Sequence, residues 1–327
     1  MTDNNFQKKK KMVQNGKILE IVSGSHLYGT NTIESDEDYM GIFIAPKEFY
    51  LGLNSVKEVD LSIVSKSFDG KNNSDAVDKK FYELRQFVKL AADGNPNISE
   101  ILFSNKSNII FSNDLGKKLL DNAHLFPSKL IKQKFIGYAI SQMKKASVKP
   151  DNFIDLQKFI ELFDLESLGK KRLIELQYIS SPIVPLITFY KDFASIGGLN
   201  FNLNVKMNSI FDKIKIRLSK SSHRQELWLK YGVDTKFLMH CLRLVLEGKE
   251  LLETGRIKFP LKEKDLLLKV RNGLIPLKEV HEMIEFHKNE LENFEGNLPK
   301  TPNFSSIENL LIEMIEESWK NDFKCKG

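Results

Sequence analysis

Residues 24–43 read GSHLYGTNTIESDEDYMGIF. Ile18-Leu19-Glu20-Ile21-Val22 precedes this stretch, and Tyr39-Met40-Gly41-Ile42-Phe43-Ile44 closes it. Both apolar runs have the length and β-branched or aromatic content of buried strands. The segment between them is too long and too polar for a hairpin turn, and it ends in Asp36-Glu37-Asp38 where the second strand begins. Long polar loops inside compact domains are usually functional or disordered. Side chains alternate along a strand, so Asp36 and Asp38 are expected on one face, about 7 Å apart. Two like charges so close repel unless solvent or a cation neutralises them. A pair of hard oxygen donors suits Mg²⁺, which shares its remaining ligands with water and substrate phosphates. At the other end of the loop, Gly24 lets backbone approach a ligand, and Ser25 with neighbouring N–H groups can donate to phosphate oxygens.

The rest of the chain bounds this reading. With 327 residues, 41% hydrophobic and 28% charged, the composition is globular and allows one large or two ordinary domains. A net charge of +6 is too mild to mark a nucleic-acid binder by itself. Two cysteines, Cys241 and Cys325, exclude a disulfide framework and a thiolate zinc site, and a reducing, cytoplasmic setting is expected. No apolar run reaches the roughly 20 residues of a membrane span, and no apolar region follows the basic start as in a secretory signal. Lys8–Lys11 read as a solvated, mobile arm, with phosphate contact as the alternative.

Strand and helix signals mix in the first third. Residues 58–64 alternate like a half-buried strand, residues 76–81 read as a third strand, and Tyr82–Ala92 carries helical spacing up to the stop at Asp93-Gly94-Asn95-Pro96. Helical spacing then dominates in residues 135–145, 154–163, 210–218, 234–253, 277–293 and 306–319. Residues 179–207 look irregular, with one short strand at 199–205. The expected architecture is α+β: a domain over residues 1–115 with a small mixed sheet, then a mainly helical domain over 116–327.

In the order strand, Gly-Ser, Asp-x-Asp, strand, the residues quoted above resemble the nucleotidyltransferase domain of the DNA polymerase β superfamily. The match is closest to the predicted nucleotidyltransferases of bacteria and phages, a group that includes RNA-repair-associated members. Gly24-Ser25-His26-Leu27-Tyr28-Gly29-Thr30-Asn31-Thr32 and Ser35–Asp38 carry the resemblance. Tyr82–Phe87, Gly94–Phe103, Lys230–Lys236, His240, Arg243 and Glu250–Gly255 follow in the same order. The resemblance implies a third carboxylate on a neighbouring strand. Asp78 is the choice, since it opens the strand leading into the Tyr82 helix; Asp75, Asp69 and Asp60 are rivals. It further implies transfer of a nucleoside monophosphate from a nucleoside triphosphate to an acceptor, with two Mg²⁺ ions held by Asp36, Asp38 and Asp78 and with pyrophosphate released. RNA ends, proteins and small molecules are the candidate acceptors. The rival reading is a silent nucleotide- or nucleic-acid-binding module of the same fold.

Lys236, His240 and Arg243 lie at i, i+4, i+7 and are candidate triphosphate contacts, against the plain alternative of a solvated helix face. Gly24, Ser25, His26 and Thr32 complete the expected nucleotide set, although His26 and Thr32 suit a purely shaping role in the loop equally well. Asn95–Glu100 reads as a helix stop and turn. Lys144, Lys145, Lys213, Lys215 and Arg217 could track an acceptor nucleic acid or simply form wet helix faces. His124, His223, His281 and His287 are too dispersed for a metal site.

Overall fold

The two apolar runs that bracket the polar loop form adjacent strands. The computed structural model describes residues 2–33, 35–63, 77–146, 151–219 and 231–324. Helix α1 (Thr2–Gly16) leads into β1 (Lys17–Ser23). A short helix, α2 (Gly24–Tyr28), follows, and β2 (Glu37–Phe43) returns antiparallel to β1. After α3 (Glu48–Leu51) come β3 (Glu58–Asp60) and β4 (Val77–Glu83). The next elements are α4 (Leu84–Ala92), α5 (Pro96–Leu102) and β5 (Ile109–Ser112). The five strands form one mixed sheet in the order β3-β4-β2-β1-β5, with β2 and β4 parallel and the other pairs antiparallel.

That pairing sets which ends meet. Because β1 runs against β2 and β2 runs with β4, the end of β1 and the starts of β2 and β4 share one edge of the sheet. The Gly-Ser turn and the aspartates therefore arrive at the same place. Behind them, one sheet face closes on a core of Val13, Phe43, Ala45, Val59, Leu61 and Phe81. Val13 comes from α1, with Met12 packed beside it, so the arm expected to be mobile is a helix docked at its C-terminal end, while Lys8–Lys11 are exposed as expected. A single apolar face on a helix suffices to hold it down.

Helix α4 starts on Glu83, whose carboxylate accepts the N–H of Gln86 (3.2 Å), and buries Leu84, Phe87, Val88 and Ala91. Gly94, with φ +71°, ends that turn. The apolar run that follows is α5, started by Pro96 at its first position and capped by Asn95, which accepts the N–H of Asn97 (3.1 Å). The edge strand β5 is too short and too exposed to announce itself by alternation.

Further along the chain lie α6 (Asp114–Asp121), α7 (Leu130–Ala146), α8 (Asp151–Leu162), α9 (Leu165–Leu168), β6 (Ile187–Phe189), β7 (Phe193–Ile196) and β8 (Leu199–Asn202). Helices α10 (Met207–Ser219), α11 (Thr235–Thr254), α12 (Lys264–Arg271), α13 (Leu277–Asn293) and α14 (Phe304–Lys324) complete the described chain. The stretch that looked irregular holds a second, three-stranded antiparallel sheet, β6-β7-β8. Two compact units emerge, and their division differs from the expected cut after residue 115. The described residues within Met1–Ser65, Asn72–Met143 and Lys236–Gly327 form one unit around the five-stranded sheet. Those within Lys144–Thr235 form the other, with a core of its own that includes Leu156, Phe159, Ile196, Phe201, Ile210 and Ile214. Change of secondary-structure texture marks where strands give way to helices, and that is not where the packing divides. Among the described residues no helix is long and apolar enough to cross a membrane.

Gly41, in the middle of β2, is fixed by close approach. A Cβ there would lie 2.2 Å from Cε1 of Phe81 and 2.7 Å from the Leu19 carbonyl oxygen. Gly41→Ala should therefore cost about 1–3 kcal/mol, as overpacking does, and lower the denaturation midpoint. An unchanged midpoint would show that β2 and β4 are not in this register.

Candidate functional site

Asp38 stands at the start of β2, where its Cα partners are Ser23 of β1 and Asp78 of β4. Directly paired residues on neighbouring strands share a face, so the carboxylates of Asp38 and Asp78 lie on the same side of the sheet, about one strand spacing of 4.8 Å apart along the ladder. Asp36 immediately precedes the strand. Burial first, and the negative charge of Asp78 second, push the Asp38 carboxyl up to about 6; Asp36 adds to this, while Lys236 and His26 oppose it. One half-buried carboxylate thus lies within electrostatic reach of Asp78, Asp36, Lys236 and His26.

Gly24 closes the site from the other side. Its φ of +62° is in the left-handed region, and a Cβ on it would fall 2.1 Å from Oδ2 of Asp38. Only glycine brings backbone this close to the carboxylate. Ser25 next to it is half-buried, and its carbonyl accepts the N–H groups of Gly29 and Thr30 (2.9 Å to Thr30), winding α2 into a tight turn. Ser23 Oγ and His26 Nε2 are buried without a hydrogen-bond partner in this structure. Buried polar atoms are nearly always paired, so two such atoms beside the carboxylates suit a polar ligand. Thr32 is exposed and turned into the loop: its N–H donates to Ser35 Oγ (2.8 Å), and its carbonyl accepts the Ser35 N–H (3.0 Å).

The i, i+4, i+7 face on α11 does not stay in one environment. Lys236 is exposed near Asp38, and His240 is half-buried. Arg243, about 10 Å further along the helix axis, is 5% exposed and buried against acids rather than phosphates. Its guanidinium donates to Glu247 Oε1 and Oε2 (2.9 Å each) and to Glu100, and it lies 4.1 Å over the Tyr28 ring. The Tyr28 hydroxyl donates to the other Glu100 oxygen (2.7 Å). Burial pushes Glu247 up to about 8 against the pull of Arg243, and holds the Tyr28 hydroxyl protonated well beyond its usual range. Arg243 therefore leaves the expected triphosphate set. It anchors the end of α2, and with it the Gly-Ser turn, to α5 and α11. Glu100, read from sequence as part of a helix stop and turn, is a buried member of that anchor.

Ser62 is a participant that sequence reasoning missed. Its hydroxyl donates to Asp78 Oδ1 (3.0 Å) and accepts the Lys79 N–H (3.0 Å), which orients the Asp78 carboxylate. A serine two residues past Asp60 carries no motif; only the pairing of β3 with β4 brings it there. Asp60 itself accepts the Ser62 N–H (2.9 Å), and its neighbour Ser62 holds its carboxyl below the usual range. The other rivals to Asp78, Asp69 and Asp75, lie outside the described residues, as does His223. His124, His281 and His287 form no cluster; His287 pairs with Glu290 (2.9 Å).

Among the described residues no three His, Cys, Asp or Glu side chains form a ready-made metal cage. The donor set nonetheless fits a hard divalent cation: it is all carboxylate, and Asp38 is half-buried beside the like charge of Asp78, which a cation would relieve.

Two predictions follow from this geometry. A carboxyl raised from 3.8 in the unfolded chain to about 6 in the folded one is a liability wherever it is ionised. The penalty is absent below the unfolded value and complete above the folded one. Asp38→Asn should therefore melt higher than wild type at about pH 7.5 in chelator, with the gain fading towards about pH 4; Mg²⁺ should narrow it by stabilising wild type alone. A variant melting at or below wild type across this range would contradict the crowding. Arg243→Ala leaves two buried carboxylates without their cation and should cost about 3–5 kcal/mol of stability. Full stability combined with weakened nucleotide binding would return Arg243 to the phosphate site.

The chain is similar to known proteins. Residues 3–162 match the model of a family described as the RNA repair pathway DNA polymerase beta family. The chain is also 27% identical over 295 residues to an uncharacterized 38.9 kDa protein of Enterobacteria phage T4, encoded in the nrdC-mobD intergenic region. That alignment covers 82% of this chain and 86% of the phage protein. The chain from α1 through α8 is thus similar to the RNA repair pathway DNA polymerase beta family, and the match supports a nucleotidyltransferase-like fold.

Proposed function

We propose that this protein is a Mg²⁺-dependent nucleotidyltransferase that moves a nucleoside monophosphate from a nucleoside triphosphate onto an acceptor hydroxyl. The observation carrying this reading is the side-by-side placement of Asp38 and Asp78 with Gly24 pressed against the Asp38 carboxylate. Crowding of this kind costs stability, and a bound cation would relieve it.

Asp36, Asp38 and Asp78 are the residues that would hold two Mg²⁺ ions, whose bound charge offsets that developing on the phosphoryl oxygens. The chain's own groups do the rest. Gly24 lets the backbone meet the triphosphate without a side chain in the way, and Ser25 with the buried Ser23 hydroxyl and His26 Nε2 donates to its oxygens. Lys236 adds a positive charge at the mouth of the site. Ser62 holds Oδ1 of Asp78, which leaves Oδ2 as the oxygen that would receive the acceptor's proton. The acceptor oxygen forms a bond to the α-phosphorus, the bond from that phosphorus to the bridging oxygen breaks, and pyrophosphate leaves with that oxygen. Positioning and charge account for most of such a rate enhancement.

The test is transfer of label from each of the four α-³²P triphosphates to total RNA, to lysate protein and to small molecules, with and without Mg²⁺. Wild type should label one acceptor class. Asp38→Asn and Asp78→Asn should each lose on the order of a thousandfold or more, the scale of losing a central electrostatic group. Ser62→Ala, which frees but does not remove Asp78, should lose less, on the order of tenfold. Labelling that survives Asp38→Asn, or no labelling by wild type in any pairing alongside tight nucleotide binding, would point to the silent binding module.

A further inference from the structure

The positive excess of this chain is not spread evenly. Residues 144–235 hold 15 of its 49 Lys+Arg but only 10 of its 43 Asp+Glu, so five of the six net charges fall on this stretch. The remaining residues are almost neutral. This unit also presents an uncovered sheet face. In β6-β7-β8, Ile187, Ala194, Ile196 and Phe201 point into the core, as the register requires. The opposite face shows Thr188, Phe193, Asn200 and Asn202, all exposed. At its edge the hairpin turn Tyr190-Lys191-Asp192 is closed by the Tyr190 N–H on the Phe193 carbonyl (2.8 Å). Tyr190 and Phe193 stack on one another there, with ring centroids 4.6 Å apart and planes 19° from parallel. They are 51% and 36% exposed.

Two stacked aromatic rings held open to solvent on a hairpin, beside amide and hydroxyl side chains, form a surface for flat heterocycles. A base has a π-face to stack and edges to hydrogen-bond, while the net positive charge of residues 144–235 favours its phosphates. We infer that the outer face of this small sheet is a single-stranded RNA-binding surface. The occupant is argued from charge and shape together: an acidic peptide would match the charge but has no use for the stacked rings, and a duplex hides its base faces.

The inference does not depend on the transferase reading, because binding can be measured in chelator with no nucleotide present. The full chain is titrated against a fluorescein-labelled, mixed-sequence single-stranded RNA of roughly 15 nucleotides. Affinity should fall steeply with salt. Tyr190→Ala/Phe193→Ala should weaken it at least tenfold with the salt slope unchanged, while Tyr190→Phe/Phe193→Tyr should retain it. Photo-crosslinking of wild type to 4-thiouridine RNA supplies a readout that needs no variant to fold, and its adducts should map to residues 187–202. Equal binding by the double alanine variant, equal competition by polyglutamate or duplex RNA, or adducts confined to other segments would each overturn the proposal.

Discussion

Arg243 carries a full positive charge into the interior, and the placement of the functional turn depends on it. Its partners arrive from three separate segments: Tyr28 at the end of the Gly-Ser helix, Glu100 on the short proline-started helix, and Glu247 one turn further along its own helix. Buried ion pairs of this kind add little net stability, because desolvation offsets most of the attraction. What they impose is geometry, since any other arrangement leaves a charge unpaired. Fixing Tyr28 fixes α2, only five residues long, and so fixes how Gly24 meets the carboxylates.

The second constraint runs the other way. At the sheet edge the chain brings like charges together, with Asp78 and burial both disfavouring ionisation of Asp38. The interior anchor and the repelling edge lie at opposite ends of the same five-residue helix. A site that is unfavourable when empty needs rigid support, and the surrounding groups that bear on it, Ser62 holding Asp78 and Gly24 against Asp38, are themselves locked by strand pairing or backbone conformation. Preorganisation of this sort lets a site bind charge without first reorganising to do so.

Much of the fold was legible in the sequence. Strands β1 and β2 and helix α13 announced themselves through apolar periodicity, which is a local property. The basic start misled, because four consecutive lysines hide the few apolar contacts that dock α1 through Val13. The β6-β7-β8 sheet was mostly missed because its strands are three or four residues long, too short for alternation to emerge among the prolines and glycines around them. The unit boundary was misplaced for a related reason: helices on both sides of the second unit pack with the first, and periodicity carries no record of what a helix packs against.

For the site, residue types and spacing alone already marked its candidates: a glycine that must approach closely, a serine beside it, and an Asp-x-Asp at a strand start. Those features are encoded in residue type and short-range spacing, so they survive without coordinates. Which distant groups join them depends on how the chain packs. Strand register placed Asp78 beside Asp38 and brought Ser62 to Asp78, and burial turned Arg243 from a phosphate candidate into a structural anchor. Equal spacing on a helix gives equal direction only while the helix stays at the surface. Where it passes into the core, the same three-residue pattern divides between solvent and interior, and the environment assigns the roles.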